Sequence, residues 1–536
     1  MSVFFSQHSA GFFPAHDKTK SDPASPPFHR LEAALIGIIA AHLCFLPWAL
    51  GSMHRWSQLA SLGLSITGFI ISLRPRPGND DSYSPATRLW RFPVFWAGLV
   101  FLLYIMVQGL NPSWCYMRNT DNWWLEPVEH IVWLPSGVQA PFAQSNPWSA
   151  LIVFGSLWLL VCSVWIGLTR RRSYRMLFTV LIGNAFLLAL LGVLQQLTDA
   201  KRIFWAYLPS NPTFIASFIY RNHAGPYLNL MVALAVGLGF WHSQRSQRRL
   251  EKQKSAVVVA FLAVFVAIMV VFSYSRASIG VLLAFTLFII CALAAQRFFG
   301  NTSSTRRRMD LFILILVFSG FLGICLVSLR AEKVWQRFSQ IANDPVGTTG
   351  FRSLARQASA NMLRDRWLFG WGAGCFRYGF PLYAQKYPAI YKSGSNNLRF
   401  FEHAHDDLLE FPIEFGVIGL TPLAIAFSFG VWQLIRLRFW QNSVSLSLVL
   451  ICTLLVCNSW VDFVFQNPAV LLTWCVLFVA AIRWLALDQP GAYRMGTRFS
   501  RPDPDPDPAS NTNETFRSIQ DPAAFATFSR RPEPRS

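Results

Sequence analysis

The sequence predicts an all-α polytopic membrane protein of about twelve transmembrane helices, with one large helical loop outside the cytoplasm. Three observations carry this. Apolar residues make up 53% of the 536 positions and charged ones 14%, too little polar content for several water-soluble domains. The apolar residues come in blocks near the ~20 residues that cross a bilayer. Basic residues gather in short clusters between alternate blocks, as cytoplasmic linkers do. The net charge of +20 would suggest nucleic acid in a soluble protein. No basic domain remains once the linkers are set aside, so the partner is a lipid bilayer and not nucleic acid.

Residues 1–31 have no long apolar core and read as a flexible cytoplasmic tail. A membrane domain follows over 32–488, with spans at about 33–50, 57–73, 93–110, 148–169, 176–197, 224–242, 255–273, 279–298, 311–329, 413–435, 443–464 and 468–487. Linkers after the second, fourth, sixth, eighth and tenth spans carry the basic clusters, among them Arg170, Arg171, Arg172 and Arg175. Both termini are therefore expected in the cytoplasm. Segments of about 111–147, 198–223 and 330–412 then lie outside, the last far too long for a passive connection. Residues 489–536, with Pro and Asp alternating from Pro502 to Pro508, read as a disordered cytoplasmic tail.

The densest ionisable stretch is His403-Ala404-His405-Asp406-Asp407-Leu408-Leu409-Glu410, placed just before the tenth span. Histidine beside carboxylates suits a metal or a general base. His403 and His405 are too close together to make a full metal site alone, and a neutral imidazole, titrating near ~6.5, can take a proton from an attacking hydroxyl. Tyr220-Arg221-Asn222-His223 and Ser275-Arg276 open the sixth and eighth spans on the same side. Each arginine either snorkels or binds an anion, and two together would suit a diphosphate.

Within the long loop, Phe351, Leu354, Ala358, Leu363 and Trp367 follow helical spacing, with Arg352 and Arg356 projecting as snorkelling or head-group-binding side chains. Gly370-Trp371-Gly372-Ala373-Gly374 is either a plain turn or a phosphate cradle. Trp114, Trp123, Trp124 and Trp133 in the first outer loop read as interfacial anchors, or as platforms for a pyranose. Of the nine cysteines only Cys115 and Cys375 fall in outer loops, where pairing is left open.

These motifs, in this order over roughly residues 205–435, resemble the O-antigen ligase and O-antigen polymerase superfamily of bacterial envelope glycosyltransferases. The residues that carry the resemblance are Tyr220 to Ala224, Ser275-Arg276, Arg352, Asp365 to Gly374, and the histidine motif. In the ligase pattern a histidine is followed by an amide or hydroxyl residue, nine residues, Gly, two residues, and Gly, Thr or Tyr. Here His405 and Asp406 are followed by Gly416 and Gly419, with Asp406 in place of the amide or hydroxyl. That change either raises the pKa of the base or marks a branch with a different acceptor.

The resemblance implies a glycosyltransferase C-type fold in the bacterial inner membrane, with the 330–412 loop periplasmic. It also implies a polyprenyl-diphosphate-linked glycan donor, no cofactor or required metal, and inverting transfer to an acceptor hydroxyl. His405 would be the base, Arg221 and Arg276 the groups stabilising the departing diphosphate, and Arg352 a third cation. Arg356, His403 and Asp406 are the further candidates for contact with substrate. The acceptor is a glycan, lipid A-core or another hydroxyl. A transporter of envelope lipids or glycans is the other reading, but no internal repeat is evident.

Overall fold

Glutamine 108 and tyrosine 104, deep in an apolar helix, mark the join on which the bundle is assembled. In the computed structural model, residues 29–75, 84–120, 122–211, 213–249, 254–299, 348–391 and 400–488 are described. The helices are α1 (Arg30–Trp48), α2 (Arg55–Ser72), α3 (Pro85–Trp90), α4 (Pro93–Leu110), α5 (Pro147–Gly167), α6 (Arg171–Leu197), α7 (Arg221–Arg249), α8 (Lys254–Phe272) and α9 (Arg276–Phe299). After them come α10 (Thr348–Asp365), α11 (Phe376–Ala384), α12 (Pro388–Tyr391), α13 (Asp407–Arg436), α14 (Ser443–Asn458) and α15 (Pro468–Ala486). Their starts are written in the sequence. Proline opens α4, α5 and α15, where its missing N–H costs nothing, and Asn146, Asn442 and Asn467 accept from the first free N–H groups of α5, α14 and α15.

Among the described residues, eight helices are long and apolar enough to cross a membrane, and two shorter apolar ones, Arg276–Ala292 and Ser443–Asn458, accompany them. The protein is thus a mostly helical, multi-pass membrane protein. The expected span at 311–329, residues 1–28 of the N-terminal tail, the whole of 489–536, and parts of the 330–412 loop lie outside the described residues. Two of the boundaries that differ from expectation bear on the site. Helix α13 begins at Asp407 instead of near 413, because the acidic residues of its first turns are buried and partnered rather than solvated. Helix α14 ends at Asn458 instead of 464, and the apolar residues beyond it serve the site described below.

The helix ends sort by charge. At one end the buried carboxylate of Glu32 accepts from Thr169 N and from the hydroxyls of Thr169 and Ser173, while Arg171 pairs with Asp488 at 2.5 Å. Arg175 of α6 and Arg245 of α7 both lie over the Trp241 ring. The opposite end carries the outer loops. In that layer the first loop is not irregular: β1 (Pro112–Arg118) pairs antiparallel with β2 (Trp123–Pro127) and parallel with β3 (Gly137–Gln139), in the order β2-β1-β3. Trp114, Tyr116, Trp123 and Leu125 alternate along the strands to pack on Val138, Cys375 and Tyr378. Cys115 and Cys375 are both free, and the Cys375 sulfur accepts from Val138 N.

Helix α13 is broken at Gly416, whose φ of 62° and ψ of −179° only glycine adopts readily. The Gly370–Gly374 turn fills the break: Trp371 N and Gly372 N donate to the carbonyls of Ile413 and Glu414, and Val417 N donates to Trp367 O. On α4, Tyr104 Oη donates to the carbonyls of Phe369 and Phe415, and Gln108 donates to Glu414 O and accepts from Ala373 N. The backbone freed by the kink is therefore paired within protein, as apolar surroundings require. A Cβ on Gly416 would lie 2.3 Å from Leu368 O. Replacing Gly416 by Ala should cost on the order of 2 kcal/mol or more from backbone strain, seen as a lower melting temperature in detergent. Gly183→Ala, where a Cβ meets nothing within 4 Å, should leave it unchanged.

Candidate active site

The site forms where the last two helices turn. Beyond α14 the chain runs Ser459-Trp460-Val461-Asp462-Phe463, and the Phe463 ring lies among four other rings. Tyr220 stacks on it at 5.6 Å and His403 at 4.9 Å, while His405 and His223 meet it edge-on at 4.7 and 5.0 Å. Two motifs almost two hundred residues apart in sequence are thereby brought to one aromatic side chain.

Asp462, nearly fully buried, organises the polar half. Its Oδ2 accepts from Asn222 Nδ2 at 2.6 Å, and its Oδ1 accepts from Phe463 N and lies 3.7 Å from His405 Nδ1. That last separation is longer than a hydrogen bond, yet His405 Nδ1 is buried and has no other hydrogen-bond partner. The ring itself is about a third exposed, with side-chain exposure of 31%. His405 also sits at φ 55°, a left-handed conformation that histidine tolerates better than most residues. Burial and the Asp462 carboxylate push the Tyr220 phenol up to about 12, against the pull of the Arg352 and Arg221 guanidiniums.

The acidic residues of α13 do not face solvent. Asp407 accepts from Phe465 N, and its own N–H donates to Ser459 O. Glu410 accepts from His403 Nδ1 at 2.8 Å and from Ala404 N at 2.6 Å. Glu414 accepts from Phe376 N and from Gly374 N. The glycine turn thus turns its N–H groups to protein acceptors, to Glu414 and to the broken helix, and offers no phosphate cradle. Among the described residues no group of three or more His, Cys, Asp and Glu side chains is arranged to hold a metal ion.

Each expected residue has a definite place. Arg221 is the first residue of α7 and Arg276 the first of α9. The two helices touch one turn further on, where Gly225 leaves room for Ser278 and Asn229 Nδ2 donates to Ser278 O. Arg352 Nη1 donates to Val461 O, and Arg356 donates to Trp460 O and to Asp406 at 3.0 Å. Arg352 and Arg356 therefore both clasp the loop that carries Asp462. Asp406 pairs with Arg356 rather than with His405, and the carboxylate facing His405 is Asp462. Burial raises the Asp406 pKa, with Arg356 holding it back.

Sequence reasoning did not assign Asp462 and Phe463 to this site. The signal was present as a carboxylate and an aromatic at the end of an apolar block, but the block was read as membrane span to residue 464. Glu410 was read only as part of the ionisable stretch, without a partner, because the groups it meets come from a loop whose path the sequence does not specify.

Residues 261–424 match the family model described as O-Antigen ligase. The matched stretch contains Ser275-Arg276, Arg352 and Arg356, the histidine motif and both glycines of its continuation. Match and motifs agree on the O-antigen ligase and polymerase superfamily, and hence on glycan transfer at a membrane in general terms. No curated protein and no solved structure matches the chain.

The His403–Glu410 pair gives the layer a pH dependence. Burial alone would lower the His403 pKa, but the charge and hydrogen bond of Glu410, with Glu402 and Glu414 behind it, outweigh that and raise it. A histidine with a raised folded-state pKa adds stability that is complete below its ordinary value and is lost as pH rises through the raised one. The margin in melting temperature of the wild type over His403→Gln should be widest near about pH 6 and shrink steadily toward about pH 9. A margin that grows with pH would contradict the ion pair.

Proposed function

We propose that the chain is an inverting glycosyltransferase. It moves a glycan from a polyprenyl-diphosphate-linked donor to an acceptor hydroxyl on the periplasmic side of the bacterial inner membrane. The observation that supports it most directly is the meeting of the Tyr220–His223 and His403–His405 motifs at Asp462 and Phe463.

With Nδ1–H directed at Asp462, His405 would present Nε2 as a base. The acceptor hydroxyl gives its proton to that nitrogen as its oxygen bonds to the anomeric carbon from the face opposite the diphosphate. The bond from the anomeric carbon to the diphosphate oxygen breaks, and its electron pair leaves on that oxygen. Arg221 and Arg276, each at a helix N-terminus whose dipole also favours negative charge, stabilise the leaving group. Arg352 lies nearby but is engaged with Val461 O, so its role is chiefly to hold the loop. No step draws on a metal or cofactor. Both termini are cytoplasmic in this reading, which fits the gathering of basic linkers at the end of the bundle away from the site.

The acceptor is a second lipid-linked glycan, lipid A-core or another hydroxyl, three variants of one chemistry. A transporter is not favoured, since the family match points to transfer and the partnered ionisable groups gather at one end of the helices.

His405→Ala should lower transfer by about 10²- to 10⁴-fold in purified protein supplied with a defined lipid-linked glycan and acceptor. Asp462→Asn should lose less, because it keeps the shape and removes only the charge that orients the ring. Chelator should leave the rate unchanged. Full activity in His405→Ala protein at normal expression would sink the assignment of His405 as the base, and no transfer by the wild type would sink the enzyme reading.

A further inference from the structure

Beside the reacting centre the outer layer holds a second concavity that the proposed chemistry does not use. It is a cavity of about 260 Å³ between the β-sheet and α11, just below the usual range for ligand pockets, with room for a single ring. Its walls are aromatic. Tyr116 and Trp123 stack at 5.6 Å, and Tyr378 and Phe400 meet Trp123 edge-on at 6.4 and 6.2 Å.

Two arginines border it. Arg377 lies over the Phe400 ring at 4.8 Å and donates Nη1 to Glu402 at 3.2 Å. Arg118, exposed at the end of β1, stands directly across the strand pair from Trp123. Asn122 and Gln144 add hydrogen-bonding groups to the rim.

A ligand for these walls needs an apolar flat face, a polar edge and negative charge. An acyl chain lacks the last two, and a bare phosphate has no face to stack. A pyranose bearing a carboxylate has all three: its axial C–H groups pack on an indole, its hydroxyls meet amides, and its carboxylate matches a guanidinium fork. The cavity is also tied to the chemistry. Phe400 lines it and His405 is five residues along, so at most roughly 18 Å of chain separates them, within reach of a short oligosaccharide.

On the reading of this chain as a glycan transferase, we propose that this cavity is a subsite for an acidic sugar residue, a hexuronate, in the glycan being handled. The test is ligand-observed saturation-transfer NMR on the full chain in nanodiscs, titrating methyl glucuronide against methyl glucoside. The glucuronide should bind saturably and more tightly than the glucoside. Arg118→Gln should weaken it about tenfold, the loss of one charge-assisted contact, and Trp123→Ala should weaken it by removing the face on which the ring stacks. Arg118 is exposed at a strand end, so R118Q keeps the test valid even where W123A misfolds. His405→Ala should bind the glucuronide like the wild type whatever its effect on transfer, which separates a failure of this subsite from a failure of the transferase reading. Equal binding of the two sugars, or glucuronide binding untouched by R118Q, overturns the proposal.

Discussion

The layer above the helices depends on one ring. Phe463 gives Tyr220, His223, His403 and His405 a common surface, and each aromatic contact of this kind contributes about 0.5–1.5 kcal/mol beyond simple burial. An apolar ring at the centre of a polar cluster keeps water away from Asp462 and limits the rotamers open to His405. The ring stays in place because its loop is held from three sides. Arg352 and Arg356 grip the carbonyls of Val461 and Trp460, Asn222 bonds the neighbouring carboxylate, and Asp407 N donates to Ser459 O. These supports come from α10, α7 and α13, so the histidines inherit their positions from several helices at once.

A second constraint follows from the first. Bringing His403 and His405 down onto Phe463 carries the acidic start of α13 into protein, where a lone carboxylate would cost several kcal/mol. Glu410 is met by an imidazole and an N–H group, Asp407 by Phe465 N at Oδ2 while its Oδ1 is left without a hydrogen bond, and Glu414 by the start of α11. The last of these is possible only because α13 breaks at Gly416 and lets the glycine turn lie against it. The kink, the glycine turn and the buried carboxylates are one device.

This coupling explains what the sequence made legible. The helices were readable because apolar blocks of bilayer length and proline or asparagine starts act locally, and eleven of the expected spans coincide with described helices. The placement of Arg221, Arg276 and His405 at one end was readable from the alternation of basic linkers. Partner choice was not. Asp406 adjoins His405 in sequence, so it looked like the group that tunes the base. The left-handed turn at His405 sends the two side chains apart, Asp406 to Arg356 and His405 toward Asp462. The sheet was hidden for a related reason: the tryptophans of 111–147 were read as anchors, although Trp114-x-Tyr116 and Trp123-x-Leu125 have the spacing of strands.

Glu402 joins the two concavities of the outer layer. Its carboxylate accepts from Arg377 at the wall of the aromatic cavity, and its charge is one of those that hold His403 protonated above its ordinary range. His403 in turn shares the Phe463 ring with His405. An anion drawn to Arg377 would compete for the guanidinium that now neutralises Glu402, leaving that carboxylate freer to act on His403. The chain from Phe400 to His405 is therefore more than a connection between two sites, since Phe400, Glu402, His403 and His405 along it each face a group that another element of the fold has placed there.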